Sequence, residues 1–188
     1  MCKFKLKLPA MEHIAGNLFL VGLMGAGKTT QGKRLAQHLN RTFFDSDQVI
    51  CERTGVDIPT IFEMEGEAGF RNRESNIINE LSLLPNIVLA TGGGAVLREQ
   101  NRDYLRQRGL VVYLHVQPET LFERVGKDRN RPLLQVQDAL AKFRDLYRAR
   151  DAIYRETAHI VIEVGADDCQ ATFEQILKYA SEYEKGLA

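Results

Sequence analysis

The sequence is short of several things, and each shortage removes a class of protein. It has three cysteines, Cys2, Cys51 and Cys169. They are odd in number, widely spaced and form no CxxC pair. That argues against a disulfide framework or a zinc site and for isolated reduced thiols. Charge of either sign is not in excess: Lys plus Arg is 25 and Asp plus Glu is 25. A general nucleic-acid binder needs a basic excess, so that class falls away. A local anion site built from a few arginines does not. No apolar run is long enough to cross a bilayer. The N-terminal MCKFKLKLPAMEHIAG is basic but lacks the apolar stretch of a signal peptide, and reads as a short lead-in. The expected address is therefore the cytoplasm. Internal repeats and low-complexity linkers are also missing. What is present is ordinary for a soluble domain: 188 residues, 44% hydrophobic and 27% charged. One domain over 1–188 is expected, with a real core over about 17–184.

Short apolar runs recur, each followed by a helical pattern. They are NLFLVG (Asn17–Gly22), RTFFD (Arg41–Asp45), NIVLAT (Asn86–Thr91), LVVYLHV (Leu110–Val116) and AHIVIEV (Ala158–Val164). Near-continuous Val, Ile and Leu predicts strands buried on both faces, as in a parallel sheet. KTTQGKRLAQHLN reads as a helix, ESNIINELSLL as one stopped by Pro85, and LREQNRDYLRQRG as one capped by Gly109. The alternation predicts an α/β domain with right-handed crossovers. The segment from Asp47 to Leu84 is too long for one crossover helix, and short helices broken near Gly55 and Gly66 are expected there. The polar stretch around Gly126 to Gln137 reads as an exposed loop.

GLMGAGKT, Gly22 to Thr29, fits G-x-x-x-x-G-K-[ST] at every fixed position, between an apolar run and a helical one. Glycines let the backbone wrap phosphate oxygens, and the helix N-terminus adds its positive end. Lys28 would reach the β- and γ-phosphates, and the Thr29 hydroxyl would ligate Mg²⁺. A nucleoside triphosphate with Mg²⁺ is thus the expected ligand. Such proteins usually carry a metal-side acid at the end of another apolar strand. Here NIVLA runs into Thr91 and three glycines instead. Asp45, at the end of the second run, is the nearest substitute. Alternation along a strand would point Asp45 and Asp47 the same way, both toward the phosphates. The competing reading is that Asp47 or Ser46 caps the next helix.

Three further stretches suggest an acceptor. TGGGAV places Gly92, Gly93 and Gly94 beyond a buried strand, where ligands sit in open α/β sheets; a flexible connection is the plainer alternative. Arg71 and Glu74, three apart, share a helix face. Such a unit is either a surface pair or a rigid guanidinium grip on a carboxylate. RNRPLL holds Arg131, which is either part of a solvated loop or an arginine aimed at transferring phosphate.

In this order, GLMGAGKT, DSD, GEAGFRNRE, TGGGAV, RPLL and RDAIY resemble the shikimate kinases, from about Asn17 to the last helix. The resemblance implies a P-loop fold with a five-stranded parallel sheet in the order 2-3-1-4-5 and flanking helices. It implies transfer of phosphate from ATP to shikimate, a shikimate-binding helical insertion over about 47–84 and a lid over about 125–137. Position by position, Gly25, Ala26, Gly27, Lys28, Thr29 and Thr30 would hold ATP, with Arg124 and the segment Gly165 to Asp168 beside the adenine. Asp47 would meet the reacting hydroxyl, and Asp45 and Thr29 would stand on the Mg²⁺ side. Arg71 and Arg150 would grip the shikimate carboxylate, Glu74 would brace them, and Gly92, Gly93 and Gly94 would wall the ring. Arg131 would be the lid arginine and, with Asp47 and Lys28, part of the catalytic set. Where relatives often read R-x-P-L-Y, this chain has RDAIY, Arg150 to Tyr154, without the proline. The expected partners are ATP and shikimate, with no nucleic acid or membrane, and the chain is expected to work as a monomer. A gluconate kinase, a nucleoside monophosphate kinase and a non-catalytic ATP-binding module are the alternatives.

Overall fold

A computed structural model describes residues 16–125, 138–165 and 169–187. Five strands form one parallel sheet in the order β2-β3-β1-β4-β5. They are β1 (Asn17–Val21), β2 (Thr42–Asp45), β3 (Ile87–Ala90), β4 (Gly109–His115) and β5 (Ile160–Glu163). Each lies within two residues of an apolar run seen in the sequence. The three central strands are almost wholly buried, with Leu18, Phe19, Leu20, Val88, Leu89, Val111 and Val112 at 0% exposure. That is why they read as continuous rather than alternating.

The helices are α1 (Lys28–His38), α2 (Ser46–Thr54), α3 (Ile58–Ser82), α4 (Glu99–Arg108), α5 (Pro118–Val125), α6 (Ala139–Thr157) and α7 (Cys169–Leu187). β1 pairs with β3 on one side and with β4 on the other, so the connection from β1 to β2 and the connection from β3 to β4 run in opposite directions along the sheet. A crevice opens at such a switch point, beyond the carboxyl ends of the strands. The segments leaving β1, β2 and β3 all reach that one rim.

Asp47 to Leu84 divides at both expected glycines. Gly55 ends α2 in the left-handed region, at φ 71°. Gly66 interrupts α3 with φ 69° and ψ −178° and bends it into two segments. Gly109 does follow α4, but its φ of −179° is extended, and it already belongs to β4. Its lack of a side chain has another cause: a Cβ there would meet the Asn17 carbonyl oxygen at 2.6 Å. The loop read at Gly126 to Gln137, with Arg131, lies outside the described residues, as do Cys2 and residues 166–168.

Candidate active site

The loop after β1 turns on three glycines with positive φ, Gly22, Gly25 and Gly27. A Cβ on Gly22 would come within 2.8 Å of the Leu114 carbonyl oxygen, so the loop can press against β4 only with glycine there. Gly27 is the N-cap of α1 and has no side-chain cap. The first turn of α1 is therefore left with N–H donors for an anion, at the positive end of the helix. Lys28 lies over the loop, its ammonium donating to the carbonyls of Gly22 at 2.8 Å and Leu23 at 2.9 Å. Thr29 Oγ1 donates to Asp45 Oδ2 at 2.7 Å, which brings the two expected metal-side oxygens together.

The DSD segment differs from expectation. β2 ends at Asp45 and α2 begins at Ser46, so strand alternation does not reach Asp47. Asp45 is itself the cap: its Oδ1 accepts from the N–H groups of Asp47 and Gln48, while Oδ2 faces Thr29. Neither Ser46 nor Asp47 caps the helix. Ser46, wholly buried, accepts the Gly92 N–H at 2.9 Å. That bond ties the start of α2 to the glycine run, and the sequence offered no sign of it.

Asp47 points from the first turn of α2 toward the end of β3. A Cβ on Gly92 would meet Asp47 Oδ1 at 2.6 Å and Glu74 Oε1 at 2.8 Å. Two carboxylates thus converge on Gly92, and a side chain there would displace them. On Gly94, a Cβ would overlap the Arg71 guanidinium. Arg71 donates to Glu74 Oε2 at 2.7 Å and to Glu67 Oε1 at 3.3 Å. Its side chain is 13% exposed and that of Glu74 is 1% exposed, so this is no surface pair. From α6, Arg150 donates to the Gly93 carbonyl at 3.1 Å, and the Tyr154 hydroxyl donates to the same oxygen. α6 runs unbroken through Arg150 to Tyr154, so the i, i+4 spacing delivers both side chains to Gly93 without the proline.

The electrostatics are tense. Among the described residues, Asp47 Oδ1, Glu74 Oε1 and Arg71 Nε are buried and lack a protein hydrogen-bond partner. Burial pushes the Asp47 carboxyl up from its ordinary 3.8 to about 6; Glu74 and Asp45 add to the rise, and Lys28 and Arg71 oppose it. Burial also pushes Glu74 up, against the pull of Arg71, Arg98 and Arg150. Arg98, which sequence reading passed over, donates to Ser75 Oγ at 3.3 Å and Asn72 Oδ1 at 2.8 Å on α3. At the other end of the crevice, Arg124 donates to the carbonyls of Gly25 at 3.5 Å and Gly165 at 2.6 Å. Half-satisfied buried charges of both signs beside a phosphate loop mark a place built for a small charged ligand.

The sheet order and the loop define a P-loop kinase fold. The family model for "Shikimate kinase" matches residues 24–181. A shikimate kinase of Neisseria meningitidis serogroup C is 56% identical over 171 residues, covering 91% of this chain and 99% of that relative. A solved structure titled "Shikimate kinase from Acinetobacter baumannii in complex with shikimate" is 50% identical, with a TM-score of 0.85. It covers 88% of this chain and 92% of that one. A gluconokinase from Sinorhizobium meliloti superposes with a TM-score of 0.52 at 15% identity, over 94% of this chain and 95% of its own, and shares the fold alone. The chain belongs to the shikimate kinase family.

Proposed function

We infer that the chain transfers the γ-phosphoryl group of ATP to the 3-hydroxyl of shikimate, giving ADP and shikimate 3-phosphate for aromatic amino-acid biosynthesis. The observation that carries this reading is the acceptor end. Arg71, locked by buried Glu74 against Gly94, and Arg150, seated on Gly93, stand beside an Asp47 that faces Gly92. Two guanidiniums favour a carboxylate, and each charge-assisted bond contributes roughly 1.5–3 kcal/mol. An acid is thereby preferred over an uncharged polyol. The A. baumannii relative, solved with shikimate, supports the same acceptor.

The N–H groups of Gly25, Ala26 and Gly27, with Lys28, Thr29 and Thr30, hold the triphosphate, and Arg124 braces the adenine end with Gly165. Asp47 orients the acceptor hydroxyl and takes its proton as the new P–O bond forms and the bond to ADP breaks. A carboxyl near 6 is ionised at neutral pH yet basic enough for that task. Lys28 follows the charge that builds on the transferred group and the leaving phosphate. The paired Thr29 hydroxyl and Asp45 carboxylate are hard oxygen donors that fit Mg²⁺, directly or through water. Held there, Mg²⁺ would offset the negative charge of the triphosphate. Arg131 completes the set as the arginine over the transferred group; its place lies outside the described residues and its part rests on the family resemblance.

The same reading places the chain in the cytoplasm as a monomer, with no nucleic-acid or membrane partner. The balance of 25 basic and 25 acidic side chains gives no field for a polyanion. Phosphorus NMR of the product tests the chemistry. A monoester resonance coupled to the 3-position proton of shikimate is expected; a different ester, or inorganic phosphate alone, contradicts it.

A further inference from the structure

His115, the last residue of β4, is 3% exposed and takes no part in the chemistry above. Burying an imidazole is costly unless both nitrogens are satisfied, and a hydrophobic residue would fill the space without that cost. Here both are engaged. Nδ1 meets Glu163 Oε2 at the end of β5. Nε2 lies 2.8 Å from the Tyr147 hydroxyl and 3.7 Å from Asp151 Oδ1, both on α6. Asp151 is held from two more directions, by the Tyr113 hydroxyl at 3.0 Å and by Arg155 Nε at 2.8 Å. Tyr113 also stacks on Tyr154, with centroids 4.8 Å apart and planes 21° apart.

The spacing on α6 gives this knot a direction. Tyr147, Asp151 and Arg155 follow each other at four-residue intervals and form one stripe. Arg150 and Tyr154 form the adjacent stripe, and both end on the Gly93 carbonyl. A rotation or slide of α6 that moved Arg150 would have to break the bonds of the first stripe. We propose that His115 is a positioning residue for the acceptor site: by clamping Tyr147 and Asp151 it fixes α6 and so holds the Arg150 guanidinium where the acceptor carboxylate binds. The inference rests on the assignment of Arg150 to that carboxylate.

Steady-state kinetics of the full chain test it. His115→Ala should raise the KM for shikimate ~tenfold and leave the KM for ATP within ~twofold. In an Arg150→Ala background the same change should add almost nothing, because residues acting through one another are not additive. Tyr147→Phe, which removes one hydroxyl from the knot, should shift the shikimate KM ~threefold in the same direction. It decides the matter if His115→Ala does not fold. A merely structural histidine would raise both KM values together, or would add its full effect to Arg150→Ala; either result overturns the proposal. Arg150→Ala alone separates the two layers. An unchanged shikimate KM there removes the carboxylate assignment. A raised KM there with unaffected His115 and Tyr147 variants removes the positioning role only.

Discussion

Asp47 stands in the first turn of α2 with its Oδ1 buried and without a protein hydrogen-bond partner among the described residues. Its carboxyl is displaced from 3.8 to about 6, chiefly by burial. That corresponds to ~3 kcal/mol at full burial, and the partial exposure of the side chain trims it to ~2 kcal/mol. The sign follows from proton binding. Between these two values the folded chain binds more protons than the unfolded one, so stability falls as pH rises through that window and stays reduced above it. Asp47→Asn should therefore melt higher than the parent at pH 7.5, and the gap should close near pH 4. Turnover should drop on the order of a hundredfold or more, with ATP binding retained. Thermal melts at the two pH values, beside a turnover measurement, check both halves. A variant that turns over normally, or that melts lower at pH 7.5, removes Asp47 from this role. Arg71→Ala should act on the acceptor instead: a shikimate KM raised on the order of tenfold or more with little change for ATP. Selective loss of ATP affinity would contradict the assignment.

At the scale of elements, glycines decide where the site-bearing pieces go. Gly94 leaves room for the Arg71 guanidinium, which a methyl group would overlap. Gly94→Ala should thus raise the shikimate KM, as is expected of Arg71→Ala, while ATP kinetics stay as they are. Equal KM values before and after would show that Arg71 relocates without loss. Gly66 acts through backbone alone, because nothing lies within 4 Å of a Cβ placed there. Its φ of 69° and ψ of −178° are open to glycine and to little else. Gly66→Ala should destabilise the chain by on the order of 1–3 kcal/mol, seen as a lower Tm. An unchanged Tm would mean that the bend in α3 is dispensable.

For the whole molecule, what a sequence reveals depends on how far apart the partners are. The strands were legible because burial on both faces leaves continuous apolar runs, and the phosphate loop because its backbone demands glycine at fixed places. Asp47, Arg71, Glu74 and the glycine run were legible as chemical types, and as a set through the family resemblance. The exchange of jobs inside DSD was not. β2 ends at Asp45, two residues short of Asp47, and that makes Asp45 the helix cap while it still faces Thr29, and sends Ser46 to Gly92. Ser46 and Gly92 are 46 residues apart, Tyr154 and Gly93 are 61 apart, and His115 and Glu163 are 48 apart. No local pattern encodes such contacts; only the folded sheet brings them to one rim.

The acceptor is identified by ADP release with Mg²⁺ and ATP in the presence of shikimate, gluconate or AMP in turn. ADP release that depends on shikimate, with the other two at background, is the predicted result. Release with gluconate or AMP and none above background with shikimate would contradict it.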